Sequence, residues 1–244
     1  MKNIKIIIQY DGSAYSGWQI QDNAVTIQQK IVEAIKAVTG EDVNLIGSGR
    51  TDKGVHAYGQ VANFRTSTNI RPDKIHYWLK MHLPNDIKIV DSREVEYDFH
   101  ARFDAKSKRY IYKIYNGEDL HPIYRNIYEE INYSIDIDKM ISAAPLLIGE
   151  HDFSGFSAVL EENTNPIRTV DEISINKRGK LIEIEIEAMS FLRNQVRIIA
   201  GTLVEIGRGK MPAENIIEIF NTGDRNLAGP TLGGRGLYLM EVRY

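Results

Sequence analysis

Apolar and polar positions alternate through the opening IKIIIQY, and this period of two predicts a strand near 4–10. A glycine-containing loop follows. From Thr26 onward Ile27, Ile31, Ala34, Ile35 and Val38 recur at helical spacing until Gly40, which predicts a helix with a hydroxyl at its start and a glycine at its end. Strands are expected near 43–46 and 59–65, then a helix opened by Pro72 and a strand near 87–90. The same order of elements returns in the second half. A strand is expected over 109–115, a helix around 137–147 and a hairpin turning at Lys177-Arg178-Gly179-Lys180. A long helix from about 191 to 206, a short one after Pro212 and a closing strand over 236–242 complete it. A βαββαβ order read twice predicts an α+β protein of two tandem ferredoxin-like halves, 1–105 and 106–244. Their sheets should be mainly antiparallel, with a central cleft between the halves as the place to seek a site.

Composition narrows the chemistry. Of 244 residues 43% are hydrophobic and 26% charged, the balance of a soluble globular protein, and no apolar run is long enough to span a bilayer. The N-terminus lacks a long apolar core followed by a small-residue cleavage site, so the expected location is the cytoplasm. The absence of cysteine excludes disulfides, thiol catalysis, iron–sulfur clusters and every cysteine-ligated zinc site. Six histidines never form a close ligand pair, so no metal is expected. A formal charge of -3 argues against a binder that attracts polyanions through its overall charge, but leaves room for local basic clusters.

The stretch GSGRTDKGVHAYGQ, 47–60, puts Arg50 and Asp52 among glycines. It fails both phosphate-cradling patterns, because Val55 and His56 stand where a P-loop needs Lys and Ser or Thr, and Asp52 stands where a dinucleotide turn needs its third glycine. Locally, Asp52 reads as a turn former or helix cap. Two other stretches resist so plain a reading. Arg193 and Arg197 lie one turn apart at the start of the expected long helix, where like charges and the macrodipole are both unfavourable. Arg193 fits a solvated position; Arg197 adjoins the apolar stripe and calls for an anionic partner. In KRYIYKIY, Tyr110, Tyr112 and Ile114 fall on one face of a strand and Ile111, Lys113 and Tyr115 on the other. Two of its three tyrosines read as packing residues, while one beside basic residues suits stacking on an unpaired base.

Taken together, GRTDKGVHAYGQVANF, FHARFDAKSKRYIYKIYN, FLRNQVRIIAGTLVEIG, the closing GLYL and the early YDGSAYSGWQIQ resemble the tRNA pseudouridine synthase A family, in the family's order and over nearly the whole length. The resemblance implies paired ferredoxin-like halves around an RNA-binding cleft. It also implies isomerisation of uridine to pseudouridine at positions 38, 39 and 40 of the tRNA anticodon arm, without cofactor, metal or nucleotide. The partners it implies are tRNA and a second copy of the chain in a homodimer. It places the catalytic aspartate on Asp52, the neighbouring substrate-binding arginine on Arg50 and the base-stacking tyrosine on Tyr110. The arginine that pairs with the aspartate falls on Arg197, and the apolar residue packing near the target base on Leu237. Lys53 stands where many relatives carry a small residue.

Lys106, Lys108, Arg109, Arg168, Lys177, Arg178 and Lys180 are the expected contacts to the RNA backbone. Two competing readings remain at this point. YGQVANF partly echoes the aromatic strand of a non-catalytic RNA-recognition module, without its full aromatic pattern. A paralogous synthase would act on another RNA.

Overall fold

Ile4, Ile6 and Ile8 alternate along β1 (Lys2–Tyr10) and are completely buried, so one face of this strand builds a core. The computed structural model describes every residue, Met1–Tyr244, and the chain folds as two units, Met1–Lys106 with Tyr238–Tyr244, and Ser107–Leu237. Both are α+β.

In the first unit β1 is followed by α1 (Ile27–Thr39), β2 (Ile46–Gly47), β3 (His56–Thr66), α2 (Ile75–Lys80) and β4 (Ile87–Val95). β1 pairs antiparallel with β3 on one side and β4 on the other, with Ile4 opposite Phe64 and Ile6 opposite Ala62, and β2 pairs antiparallel with β3. The expected α1 forms for the expected reasons. Thr26 accepts a hydrogen bond from the Gln29 N–H at 3.4 Å, Gly40 closes the helix at φ 74°, and Ile27, Ile31, Ala34 and Ile35 are buried. The strand expected over 43–46 shrinks to β2, because the Leu45 carbonyl accepts from the Gln28 side chain at 2.8 Å in place of a ladder partner. β3 begins earlier than expected, at His56. After Pro72 the chain makes a single 3₁₀ turn before α2.

The second unit contains β5 (Ser107–Asn116), β6 (Glu129–Ile131), α3 (Ile137–Ala143), β7 (Gly149–Asp152), β8 (Ile167–Arg178), β9 (Leu181–Ala188), α4 (Gln195–Gly207) and α5 (Asn215–Thr222). Its sheet runs β5-β9-β8-β7 antiparallel, with β6 added parallel to β5, so the sheet is mixed. α3 passes into a 3₁₀ turn over Ala144–Leu147 rather than continuing, since Pro145 has no N–H to donate. α4 starts at Gln195, later than the pattern suggests, because Asn194 takes the left-handed conformation at φ 62°. Arg193 therefore lies outside the helix, and the expected repulsion between neighbouring helical turns does not arise. In the hairpin, Lys177 and Arg178 belong to β8, and only Gly179, at φ 61°, and Lys180 make the turn.

The closing strand corrects the expected division at 105/106. β10 (Leu237–Arg243) falls by sequence in the second half, yet from Tyr238 onward it joins the first unit, pairing parallel with β3 through Tyr238–His56 and Leu239–Ala57. Burial explains the attachment: Leu239 is fully buried, the Tyr244 hydroxyl donates to the Ala101 carbonyl at 2.7 Å, and Lys5 Nζ lies 4.0 Å from the Tyr244 ring centre. No helix is long and apolar enough to cross a membrane.

Candidate active site

Between β2 and β3 the chain makes the loop that carries Arg50 and Asp52, and buried polar contacts fix it at several points. The Ser48 N–H donates to the Val61 carbonyl at 2.8 Å, and its hydroxyl donates to Gln60 Oε1 at 2.6 Å. Gln60 Nε2 donates in turn to the Gly49 carbonyl at 3.0 Å. Thr51 Oγ1 and the Tyr10 hydroxyl share a buried hydrogen bond of 2.8 Å, and the Thr51 carbonyl accepts from the Trp18 N–H at 3.0 Å. Burial pushes the Tyr10 hydroxyl well above the ordinary phenol range, so it remains a protonated partner for Thr51.

The early segment around Gly12 and Gly17 lies directly against this loop. A Cβ at Gly12 would collide with the Val55 carbonyl oxygen, and Gly17, at φ 96°, would bring one to 2.5 Å from the Thr51 carbonyl oxygen. Only glycine permits this approach.

Asp52 opens a β-turn closed by the Val55 N–H donating to the Asp52 carbonyl at 3.2 Å. Gly54, at φ 78°, occupies the third position, the geometry of a type II turn. The local turn reading is thus structurally correct. The same turn holds the Asp52 side chain half-buried while Arg50 and Lys53 are exposed.

In the second unit the alternation of β5 appears as read, with Tyr110, Tyr112 and Ile114 buried and Ile111, Lys113 and Tyr115 half-buried. Tyr112 donates to the Gly233 carbonyl at 2.8 Å, and burial followed by the nearby Glu129 charge raises its pKa. Tyr115 donates to Asp119 at 2.8 Å. Of the three tyrosines, Tyr110 and Tyr112 are the buried ones, and Tyr115 stands half-buried against an exposed carboxylate. Tyr110 is 8% exposed and meets the edge of Phe191 at 5.3 Å between ring centres.

Arg197, half-buried on the first turn of α4, donates through Nε to the Leu232 carbonyl at 2.6 Å and through Nη1 to Asn194 Oδ1 at 3.0 Å. Leu237 is buried at the start of β10.

The expected phosphate contacts divide. Lys106, Lys177 and Arg178 are exposed. Lys180 is exposed but pairs with Asp119 at 2.6 Å, and Arg168 donates to the Asn165 and Ile167 carbonyls. Arg109 instead binds Glu185 at 3.1 Å and Glu187 at 3.0 Å across the β5–β9 ladder, and Lys108 is buried. A guanidinium already held by two carboxylates has its charge compensated within the sheet, and a buried ammonium does not offer itself to an open RNA surface.

Sequence reasoning missed Tyr10 and Gln60, which hold the loop around Asp52, and Asn194, which holds the Arg197 side chain. Asn194 alone carried a signal, as a helix-capping residue type immediately before an apolar-periodic run. No group of three or more His, Asp or Glu side chains is gathered so as to hold a metal ion.

The chain matches the tRNA pseudouridine synthase family over residues 6–104 and 143–244. This chain belongs to that family. Asp52, Arg50, Arg197 and Leu237 lie within the matched stretches, and Tyr110 falls between them. A protein named tRNA pseudouridine synthase A from Thermoanaerobacter sp. (strain X514) is 49% identical over 244 residues, covering 100% of both chains. Its namesake from Acetivibrio thermocellus is 46% identical, and tRNA pseudouridine synthase A 2 from Clostridium perfringens is 43% identical, again over 100% of both chains. A solved archaeal box H/ACA sRNP Nop10–Cbf5 complex has a TM-score of 0.36 at 11% identity, covering 93% of this chain and 59% of that one, a likeness too slight to bear on the fold.

Proposed function

We propose that Asp52 is the carboxylate with which this protein isomerises uridine to pseudouridine at positions 38, 39 and 40 of the tRNA anticodon arm. Membership of the family makes the protein an isomerase acting on uridine in tRNA. The observation that carries the residue assignment is the way the loop is built: Tyr10, Trp18 and Gln60 fix its backbone and hydroxyls, while Asp52 stands half-buried at its turn.

In the reaction the N1–C1′ bond breaks, the uracil turns, C5 bonds to C1′, C5 gives up its proton and N1 acquires one. No electron is gained or lost, so the chemistry asks for one ionised carboxylate and no redox partner. Asp52 serves by adding to C6 of the ring, by attacking C1′ as a retaining glycosidase nucleophile does, or by taking the C2′ proton; these three routes stay open.

A carboxylate enclosed by a base drifts toward neutrality, and in the RNA-bound state Arg197 is the cation that opposes this drift. The target nucleotide must leave its stack, at a cost of a few kcal/mol. Tyr110 covers the flipped base, Leu237 packs beside it, and Arg50 takes the vacated space or its phosphate. Lys106, Lys177 and Arg178 are the backbone contacts best supported by exposure.

The strand orders support ferredoxin-like halves. Apart from β10, which adds parallel to β3, the first unit runs β4-β1-β3-β2 with antiparallel pairing and helices after β1 and β3; in the second, β5-β9-β8 is accompanied by α3 between β6 and β7 and by α4 after β9.

The test is release of tritium from tRNA labelled at uracil C5, with nearest-neighbour mapping of the product. Release matched by pseudouridine at 38, 39 and 40 is expected. Binding without release would make the protein an RNA-binding module, and release from other positions would make it a paralogue.

A further inference from the structure

Asn194 departs from what its place in the chain leads one to expect. At a helix start an asparagine ordinarily adopts an extended backbone and caps a free N–H of the first turn. Here its backbone is left-handed, at φ 62° and ψ 6°, and its side chain caps nothing. Apart from one loop asparagine, it is the only non-glycine residue with positive φ. The neighbouring Gln195 ties down the chain that leads into the helix, its Oε1 accepting from the Leu192 N–H at 2.7 Å. The oxygen released from capping, Asn194 Oδ1, accepts from Arg197 Nη1 at 3.0 Å, while the Leu232 carbonyl takes Arg197 Nε at 2.6 Å. Two fixed acceptors, reached from different edges of a planar guanidinium, set both its position and its plane.

We infer that Asn194 is a positioning residue for the isomerisation, giving up its capping bond and an unstrained backbone to aim the Arg197 guanidinium. An unfavourable conformation persists where the surrounding structure over-determines it, and such sites gather where function needs a fixed geometry. The inference rests on the role proposed above for Arg197.

Asn194→Gly separates aim from fold, because glycine accepts the left-handed backbone without strain and lacks only the amide. The expected result is an unchanged or raised Tm, an unchanged KM for tRNA and a kcat lowered roughly 10- to 100-fold, the scale of a misplacement of about 1 Å. In the Arg197→Met background the same change should have no further effect on kcat, since residues acting through one group are not additive. Wild-type kcat in Asn194→Gly overturns the inference while leaving the Arg197 assignment standing. So does a full additional loss in the double variant. Wild-type kcat in Arg197→Met alone removes the role of Arg197 and the inference together.

Discussion

Tyr10 shows how a single hydroxyl ties the core to the loop that carries Asp52. Its ring closes β1, 4% exposed among the apolar residues of the first unit, while its oxygen reaches Thr51 next to Asp52. Tyr10→Phe keeps the ring and leaves the Thr51 hydroxyl without its buried partner, which costs about 1–3 kcal/mol. Denaturant unfolding should show that loss. Single-turnover kinetics should show slower pseudouridine formation with tRNA affinity preserved; undiminished turnover would mean that the hydrogen bond does not position the loop. The candidacy of Asp52 rests in the sequence on the motif around it alone, since its local pattern spells a turn and it does occupy one. Its supports were not legible, because Tyr10 and Thr51 meet across 41 residues of chain and the pattern of β1 marks Tyr10 only as a core position.

At the scale of elements, periodicity matches the structure wherever local chemistry decides. Thr26 and Gly40 bound α1, and alternation set the faces of β1 and β5. Reading failed where a single residue or a distant partner overrides the pattern: Asn194 delays α4, Pro145 shortens α3, and Gln28 captures the carbonyl that an extended β2 would use. β10 is the largest such case, because strand pairing is set by the whole sheet and leaves no mark in the strand's own sequence.

That attachment has a direct test, since both tryptophans, Trp18 and Trp78, lie in the first unit and report on it alone. Leu239→Ala empties a fully buried position and should lower the tryptophan-detected unfolding free energy by about 2–5 kcal/mol. If the tryptophan transition stays put while the remainder of the chain is destabilised, β10 does not belong to the first unit's core.

For the whole molecule, the α+β class and mainly antiparallel pairing followed from the order of elements, and family membership follows from motifs spread along the chain. The basic clusters were the least legible feature, since a cation's partners depend on cross-strand register: Arg109 looks identical in sequence whether it faces a phosphate or, as here, Glu185 and Glu187. The central claim is that Asp52 does the chemistry and does not merely shape a turn. Asn is as good a turn former as Asp but carries neither the charge nor the basic oxygen. The decisive measurement is single-turnover pseudouridine formation by Asp52→Asn, with tRNA binding and Tm followed in parallel. The account predicts formation at background with binding and stability close to wild type, whereas formation at the wild-type rate would contradict it.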